Sequence, residues 1–475
     1  MTEKFFAAVS GIAFVLLTVI GGIYIGLSQK DSSYLSRVSQ GLNAAFMLQE
    51  DTPLNSRGWI NLWADAPQNL NKKGVVIYNK NKAYDGYTFL IQAPEQKAYL
   101  VDMNGKIVHS WTIPLDKVLD KIQPYLKNYA RDIISNKENI SWRGTHLYPN
   151  GDLLFTYATA TTPAGITLVK LDKDSNMIWK APILAHHDVD VAPDGTIYTL
   201  TQKISDQPLP GYEHLGAPVI DDQVTVLSDE GKVLKNISIL DAFKNSDYYS
   251  EVIPYLTNKD RCCDVNLSSA KVGDILHANT VRVITAEKAA ATHHPLFKAD
   301  DLLISLREFD IIAVLDPKTE KIVWALRGFW RVQHDPDITD DGHIILFDNE
   351  GDQREDPKRS RIIEIDPLTN QITWSFDGTK DETFHSLICS RTQSLPNGNV
   401  LIVSFLDGEI LEVTRDKEIV WEYISPLRKF SKKHRKTYIA GLFDGHRFSR
   451  NELDFLKPSA NTPRAPLQEE TKNTP

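Results

Sequence analysis

Cysteine is scarce in this sequence. Only three of the 475 residues are cysteine, at positions 262, 263 and 389. Three cysteines cannot build a scaffold of several disulfides, and none of their spacings is the Cys-x-x-Cys of a zinc or redox site. One structural disulfide would leave one thiol over. We expect Cys262, Cys263 and Cys389 to have structural or inert roles.

Nucleotide-binding motifs and basic stripes are also missing. The sequence contains neither a GxxxxGK[ST] phosphate loop nor a GxGxxG fingerprint, which excludes a standard nucleotide site. Its 62 acidic residues outnumber its 53 Lys and Arg residues, giving a net charge of −9. A nucleic-acid partner is therefore disfavoured. The single short basic run, 432–436, is expected to be a solvated loop.

One long apolar run is present near the start of the chain. Residues 5–27 contain no charged residue over 23 positions. As a helix rising about 1.5 Å per residue, this segment crosses a bilayer core of roughly 30 Å. No convincing cleavage site follows, so an uncleaved anchor is favoured over a cleaved signal peptide. We expect a single-pass inner-membrane protein whose body lies in the periplasm, with a homodimer as a further expectation.

The rest of the chain divides by composition into three parts. Residues 28–86 are predicted to be a stalk and linker with helical stretches. Residues 457–475 are rich in Pro, Asn, Thr and Glu, which is the composition of a disordered tail. The folded domain is therefore expected at 87–456.

A repeating unit of about 40 to 60 residues fills that domain. In the typical unit a strand turns at Pro-Asn-Gly or Asp-Gly, an apolar strand follows, and a last strand ends in tryptophan. Alternating strands bounded by turns, with no helical period between them, indicate an all-β fold. Six units of four strands predict a six-bladed β-propeller, and a seventh blade at 59–78 is the alternative. Tryptophans expected to pack between blades are Trp111, Trp179, Trp324, Trp374 and Trp421.

Polar residues recur at one position of the unit. The position eight residues before the turn glycine is the start of the first strand of the unit. In a propeller this first strand is the innermost one and lines the central channel. His277 occupies the corresponding strand start in the fourth unit. The residues found at these positions are Arg143, His187, His277, His334, Ser390 and Arg391.

Each of these residues alone could be a buried polar group satisfied by its neighbours. Their recurrence argues otherwise, because burying imidazole and guanidinium groups costs desolvation free energy. Such a cluster suits an anionic ligand, with imidazole as nucleophile or general base and arginine neutralising oxyanions. Three histidines would also satisfy a catalytic zinc, but the arginines argue against a metal. His186 is expected to turn away, since adjacent strand residues face opposite sides.

Four motifs resemble those of the arylsulfotransferase family of bacterial propellers. They are Asp-Ile-Leu-His-Ala-Asn-Thr at 274–280, Ser-Leu-Arg-Glu at 305–308, Gln-His-Asp at 333–335 and Phe-Asp-Asn-Glu at 347–350. The resemblance spans roughly 87–426 and is most specific from His277 to Asn349. It implies a periplasmic six-bladed propeller that moves a sulfuryl group from an aryl sulfate ester to a phenolic acceptor, through a sulfated histidine and without a nucleotide donor.

The resemblance also assigns roles to residues. It makes His334 the nucleophile and places His277, His187 and Arg307 on the sulfuryl oxygens. Arg307 is not among the residues found by counting through the repeat, so its role comes from the resemblance alone. No cofactor and no metal are expected. Further substrate-binding residues are predicted to be Arg143, Arg391 and Asn279.

Two other functions remain open from the sequence. The first is a non-catalytic envelope propeller that binds a carbohydrate, peptide or protein at its channel mouth, because fold alone does not decide function. The second is a metal- or quinone-dependent oxidoreductase. It is disfavoured because the histidines and arginines are not accompanied by a carboxylate-rich calcium site.

Overall fold

Antiparallel strands dominate the computed structural model. It describes residues 62–119, 139–159, 164–257, 273–351, 359–379, 385–432 and 434–457. In chain order, two strands precede the first blade, β1 (Trp63–Ala64) and β2 (Gly74–Tyr78). Six four-stranded units then form six blades, as the repeat predicted.

The blades follow one another along the chain. Blade 1 contains β3 (Tyr87–Gln92), β4 (Lys97–Asp102), β5 (Ile107–Thr112) and the late strand β29 (Leu442–Phe448). Blade 2 contains β6 (Ile140–Leu147), β7 (Leu153–Thr159), β8 (Gly165–Leu171) and β9 (Met177–Ala181). Blade 3 contains β10 (Ala185–Val191), β11 (Ile197–Ser205), β12 (Val219–Leu227) and β13 (Val233–Ser238), with β14 (Gly273–Asp274) parallel to β12.

The other three blades have the same order of strands. Blade 4 contains β15 (Ala278–Val283), β16 (Leu302–Leu306), β17 (Ile311–Asp316) and β18 (Lys321–Arg327). Blade 5 contains β19 (His334–Ile338), β20 (Ile344–Asp348), β21 (Arg361–Asp366) and β22 (Gln371–Phe376). Blade 6 contains β23 (Arg391–Ser394), β24 (Val400–Ser404), β25 (Glu409–Val413) and β26 (Ile419–Ile424).

The helices in the described part of the chain are short and lie in the connections. The α-helices found there are α1 (Leu115–Val118), α2 (Ile239–Lys244), α3 (Tyr249–Thr257) and α4 (Ala286–Thr292). Single 3-10 turns are Pro67–Asn69, Glu213–Leu215, Arg307–Phe309 and Asp454–Leu456. Among the residues described, no helix is both long and apolar enough to cross a bilayer. The predicted anchor at 5–27 lies outside the described residues, as does the predicted tail after residue 457.

The last strand of the chain completes the first blade. Strand β29 pairs with β3 and is the innermost strand of blade 1. The two ends of the propeller are therefore joined by backbone hydrogen bonds rather than by a disulfide. The first unit of the sequence, before residue 112, therefore contains only the three outer strands of its blade, because the innermost strand comes from the end of the chain.

Tryptophans that end the fourth strands link neighbouring blades, as predicted. Their indole N–H groups donate to backbone oxygens of the next blade, and the pairs are Trp111 with Gly151 (2.9 Å), Trp179 with Asp229 (3.0 Å), Trp374 with Arg415 (2.9 Å) and Trp421 with Met103 (3.0 Å). The fifth, Trp324, packs in one apolar cluster with Ile338 and Ile344 of blade 5. Trp111 and Trp421 are fully buried, whereas Trp179 and Trp374 are half-buried.

The segment before blade 1 differs from the sequence prediction. Residues 62–86, expected to be a linker with helical stretches, contain one 3-10 turn and two strands. Strand β2 pairs with β26 as a fifth strand of blade 6, and β1 pairs with β28 (Lys436–Ala440), which forms a hairpin with β27 (Arg428–Ser431). The described part of 59–78 thus adds to existing sheets and builds no seventh blade.

Candidate active site

Five of the six innermost strands carry a bulge near the same end. The register shifts fall at Arg143/Thr145, His186/Val189, Ala278/Thr280, His334/Asp337 and Leu442/Asp444. A bulge leaves a residue outside the ladder and re-aims its side chain. The repeated bulge therefore explains why counting through the repeat found residues that meet at one mouth of the channel.

The backbone at these bulges adopts left-handed conformations. The φ angles are 51° at His187, 48° at His277 and 52° at Asp335, and Ser390, which precedes the unbulged strand β23, has a φ of 82°. Such conformations cost non-glycine residues about 1–3 kcal/mol each and concentrate at functional sites. In blade 2 the position is Gly144, with φ 37°, where a Cβ atom would lie 2.5 Å from the Cα atom of Asp188.

A small, partly open cavity with a volume of about 30 Å³ lies at this mouth. Its lining residues are Arg143, Gly144, His187, Asn279, Thr280, His334, Asp335, Cys389, Ser390, Arg391 and Phe443. His277 lies against the lining, since the centroid of its ring is 5.0 Å from that of His187. The backbone N–H of Arg307 donates to the His277 carbonyl oxygen at 3.2 Å. All seven predicted site residues are therefore gathered in one place.

His334 has a defined tautomer. Its Nδ1 atom lies 2.8 Å from Oδ1 of Asn349 and 3.0 Å from the Val332 carbonyl oxygen. The Asn349 side-chain amide is oriented by its own N–H groups, which donate to the backbone oxygens of Ser386 (2.7 Å) and Cys389 (2.9 Å). Because Oδ1 must then face the imidazole, His334 carries its proton on Nδ1. The lone pair on Nε2 is left without a protein partner among the described residues.

His334 is also held uncharged. Its side chain is buried, and this burial together with the nearby charge of Arg307 lowers its pKa to about 3. A neutral imidazole with a free Nε2 lone pair is the form that can act as a nucleophile.

His277 forms a dyad with a carboxylate. Its Nδ1 atom lies 2.5 Å from Oδ2 of Asp274. Asp274 belongs to β14, which β12 of blade 3 holds in parallel register, while His277 enters blade 4. A carboxylate on Nδ1 orients the ring, so that Nε2 is the atom through which the dyad can exchange a proton.

His187 is supported from behind by His186. The two Nδ1 atoms are 2.6 Å apart, and Nε2 of His186 lies 3.6 Å from Oδ1 of Asp222. His186 does not line the cavity, in keeping with the expectation that it turns away. Burial and the neighbouring imidazoles lower the pKa of His187 well below its usual value, and burial lowers that of His186 to about 3. Both rings are therefore neutral near pH 7.

Arg143 is a buried cation without a carboxylate. It is 4% exposed, its Nη1 atom is 3.5 Å from Nε2 of His187, and its guanidinium carbon lies 4.6 Å from the centroid of Phe443. Its Nε and Nη2 groups have no hydrogen-bond partner in the described part of the chain. Since an unpaired buried charge is costly, this guanidinium is suited to an anionic ligand.

Arg391 differs from Arg143 in that carboxylates neutralise it. Its Nη2 donates to Asp188 at 2.8 Å, and its Nε lies 3.5 Å from Asp444. Arg282 donates to Asp188 and Asp335, both at 2.6 Å, which completes a buried charge network between blades. Asp188 and Asp335 directly follow His187 and His334. Arg391 lines the cavity, but its contacts are those of a residue that positions the histidine backbone.

Asn279 likewise uses its amide within the protein. Its Nδ2 donates to the Gln333 carbonyl oxygen at 2.8 Å, and its Oδ1 accepts from the Thr280 hydroxyl at 3.1 Å. Asn279 therefore ties blade 4 to the residue that precedes His334.

Arg307 retains one free group. Its Nη1 donates to Glu308 at 2.8 Å, while its buried Nε has no partner among the residues described.

The lining residues that were not predicted as site residues include Cys389 and Phe443. Cys389 is a free thiol beside the site, where burial raises its pKa. Phe443 supports the guanidinium of Arg143. A lone cysteine and an apolar residue on a strand carry no signal in a sequence, so only the fold could reveal their position.

The cavity histidines do not form a metal-binding group. In the part of the chain that is described, one set of His, Cys and carboxylate residues has ligand atoms within 4.8 Å of one another, and it consists of Asp341, His343 and Glu364. These residues lie around the turn between β19 and β20, at the other end of blade 5. Glu364 is already paired there with Arg415.

A profile of the arylsulfotransferase (ASST) family matches residues 145–426, which is more than half of the chain. The chain belongs to the arylsulfotransferase family. Its matched range includes every predicted site residue except Arg143. The protein is therefore an arylsulfotransferase-like enzyme with a propeller fold.

Other comparisons add no closer functional relative. No curated protein gives a significant match. A Bacteroides caccae protein of unknown function has a TM-score of 0.42 at 9% identity, covering 76% of this chain and 98% of that chain. Streptogramin B lyase gives 0.39 at 13% identity over 78% and 90%, and the WD40 propeller domain of Doa1 gives 0.36 at 11% over 76% and 96%. Such low identities concern the fold alone.

Proposed function

We propose that this arylsulfotransferase moves a sulfuryl group from an aryl sulfate ester to a phenol through a covalent intermediate on Nε2 of His334. The observation that carries the proposal is the unpartnered Nε2 lone pair beside a cavity that also holds an uncompensated buried arginine, Arg143. A neutral nucleophile can approach the sulfur of an anionic ester without like-charge repulsion. The guanidinium supplies attraction for the sulfuryl oxygens.

In the first half-reaction, Nε2 of His334 forms a bond to sulfur while the bond from sulfur to the phenolic oxygen breaks. The electron pair of that bond leaves with the phenolate. His277, which Asp274 orients, acts as the general acid in this proposal: it gives its Nε2 proton to the phenolate and becomes neutral. Arg143 and the free Nε group of Arg307 neutralise the sulfuryl oxygens, which is where preorganised donors contribute most to catalysis.

The second half-reaction reverses these steps with a new phenol. Neutral His277 removes the proton of the phenol, the phenolic oxygen attacks sulfur, and the nitrogen–sulfur bond breaks. His334 returns to its neutral form and His277 to its protonated form. The cycle needs no cofactor, because every proton and electron pair is exchanged between substrates and these side chains.

The location of the reaction is a further part of the proposal. An anchor at 5–27 would hold the propeller at the inner membrane, with the cavity in the periplasm. The phenol product would leave, and the phenol acceptor would enter, through the same channel mouth, because one cavity serves both half-reactions.

Steady-state kinetics with 4-nitrophenyl sulfate as donor and a second phenol as acceptor test this function. Double-reciprocal plots at several acceptor concentrations should be parallel, as in a ping-pong reaction. His334→Asn should abolish turnover, whereas His385→Asn, which changes a histidine outside the cavity lining, should retain it. Absence of turnover with several aryl sulfates would favour the non-catalytic binding function instead.

A further inference from the structure

The hairpin formed by β27 and β28 is strongly basic. Residues 428–436 contain six Lys or Arg residues and one His, with no acidic residue, in a protein of net charge −9. The sequence predicted a solvated loop at 432–436, and the described residues of 432–435 form the exposed turn that joins the two strands of this hairpin. A concentration of positive charge on an acidic protein indicates attraction to an anionic surface.

Only some of these cations are used to hold the hairpin in place. Arg428 donates to the backbone oxygens of Asn69 (2.8 Å) and Lys72 (2.6 Å). Lys436 pairs with Asp65, and Lys429 lies 5.5 Å from the ring centroid of Trp63. These contacts attach the base of the hairpin to the segment that precedes blade 1.

The end of the hairpin is arranged differently. Lys432, His434 and Arg435 are exposed. Phe430 beside them is 60% exposed, the largest exposed fraction among the large apolar side chains that the structure describes. An aromatic ring next to several cations is the composition of a segment that lies at a membrane interface, where the ring enters the headgroup region and the cations contact phosphates.

The hairpin also lies where the chain enters the propeller. Strand β1, at the start of the described residues, pairs with β28, and residues 28–61 connect it to the predicted anchor. The other end of the hairpin leads through Gly441 into β29, whose Phe443 lines the cavity. The hairpin therefore connects the segment that leads to the predicted anchor with the strand that supplies Phe443.

We propose that the β27–β28 hairpin docks on a bilayer that contains anionic phospholipid, through Phe430, Lys432 and Arg435. The favoured occupant is lipid rather than an acidic protein because the same hairpin is joined by pairing to the segment that leads to the predicted anchor. This docking is independent of the catalytic chemistry. It predicts that each cation at the end of the hairpin strengthens contact with the bilayer by about fivefold at low salt.

Hydrogen exchange of the full-length protein in nanodiscs tests the proposal. The amides of 428–440 should exchange at least about fivefold more slowly in discs containing phosphatidylglycerol than in discs of phosphatidylcholine alone, and high salt should remove the difference. Lys432→Glu combined with Arg435→Glu should abolish the protection. A matched control is Lys232→Glu with Lys417→Glu, which reverses two exposed lysines in turns of blades 3 and 6 and should leave the protection intact.

Other outcomes would overturn the proposal. Equal exchange in the two kinds of disc would show that the hairpin does not contact anionic lipid. Protection that appears in detergent without lipid and grows with protein concentration would assign the hairpin to contact with a second copy of the chain. Neither result would bear on turnover, which is measured separately.

Discussion

At the scale of single residues, the side-chain amide of Asn349 decides which nitrogen of His334 can react. Its two N–H groups are committed to backbone oxygens, so its carbonyl oxygen accepts the proton on Nδ1 of His334. Residues that orient the other nitrogen of a functional histidine in this way often matter nearly as much as the histidine itself. His334 lies at the start of blade 5, whereas the backbone oxygens that fix its orientation through Asn349 belong to the connection between blades 5 and 6.

The two arginines in the cavity lining should respond oppositely to the same substitution. Arg143→Met removes a buried charge that has no carboxylate, so we expect the free energy of unfolding to stay unchanged or rise while turnover falls about 100- to 1,000-fold. Arg391→Met leaves Asp188 and Asp444 with less compensation and should cost about 3–5 kcal/mol of stability. Urea unfolding and initial rates measure both effects. A stability loss in Arg143→Met as large as that in Arg391→Met would refute the difference between them.

The buried His186 should make the stability of the protein depend on pH. Burial lowers its pKa in the folded state to about 3, below the usual value of 6.5. As the pH falls below 6.5, the unfolded chain therefore binds a proton that the folded chain does not, and stability decreases by about 1.4 kcal/mol per pH unit until the pH approaches 3. His186→Gln should make the loss of stability between pH 7 and pH 5 smaller. Parallel pH profiles for the two proteins, measured by urea unfolding, would contradict this.

At the scale of elements, the bulged start of each inner strand determines where the site residues point. Gly144 occupies this position in β6, in contact with the backbone of blade 3. Because a Cβ atom there would meet Asp188, the strand cannot keep its place with alanine. The bulge of blade 2 is therefore in direct contact with Asp188, a residue of the charge network, in blade 3.

Gly144→Ala should consequently destabilise the protein by more than about 3 kcal/mol and displace Arg143. Gly398→Ala is the matched control, since its φ is 87° and nothing lies within 4 Å of the added methyl group. That substitution should cost only the backbone strain, about 1–2 kcal/mol. Thermal unfolding of both variants distinguishes the two cases. Equal shifts in Tm would mean that the close approach to Asp188 has no energetic effect.

The same elements explain what the sequence could predict. Turn glycines mark four of the six units and closing tryptophans five, so the positions of His187 and His334 followed from counting and that of His277 from the corresponding strand start. Arg307 lies on a 3-10 turn after a second strand, outside that count, and was found only through the family resemblance. Strands β2 and β29 carry no repeat signal, because one is an added edge strand and the other completes a blade that begins at the opposite end of the chain.

At the scale of the whole molecule, the cavity exists only when the ring is closed. Its lining comes from blades 2 to 6 and from β29, which supplies Phe443 and joins the end of the chain to blade 1. The network of Arg282, Arg391, Asp188, Asp335 and Asp444 connects the inner strands around the channel. Residues that are far apart in sequence are therefore held together by closure of the propeller.

Peptide mass spectrometry of the protein after incubation with an aryl sulfate, without acceptor, tests the central claim most directly. We expect one SO₃ group on the peptide that contains His334, its disappearance on addition of a phenol, and no adduct in His334→Asn. An adduct on another residue that is transferred to phenol, or turnover with no adduct at any time, would contradict the assignment of His334 as nucleophile.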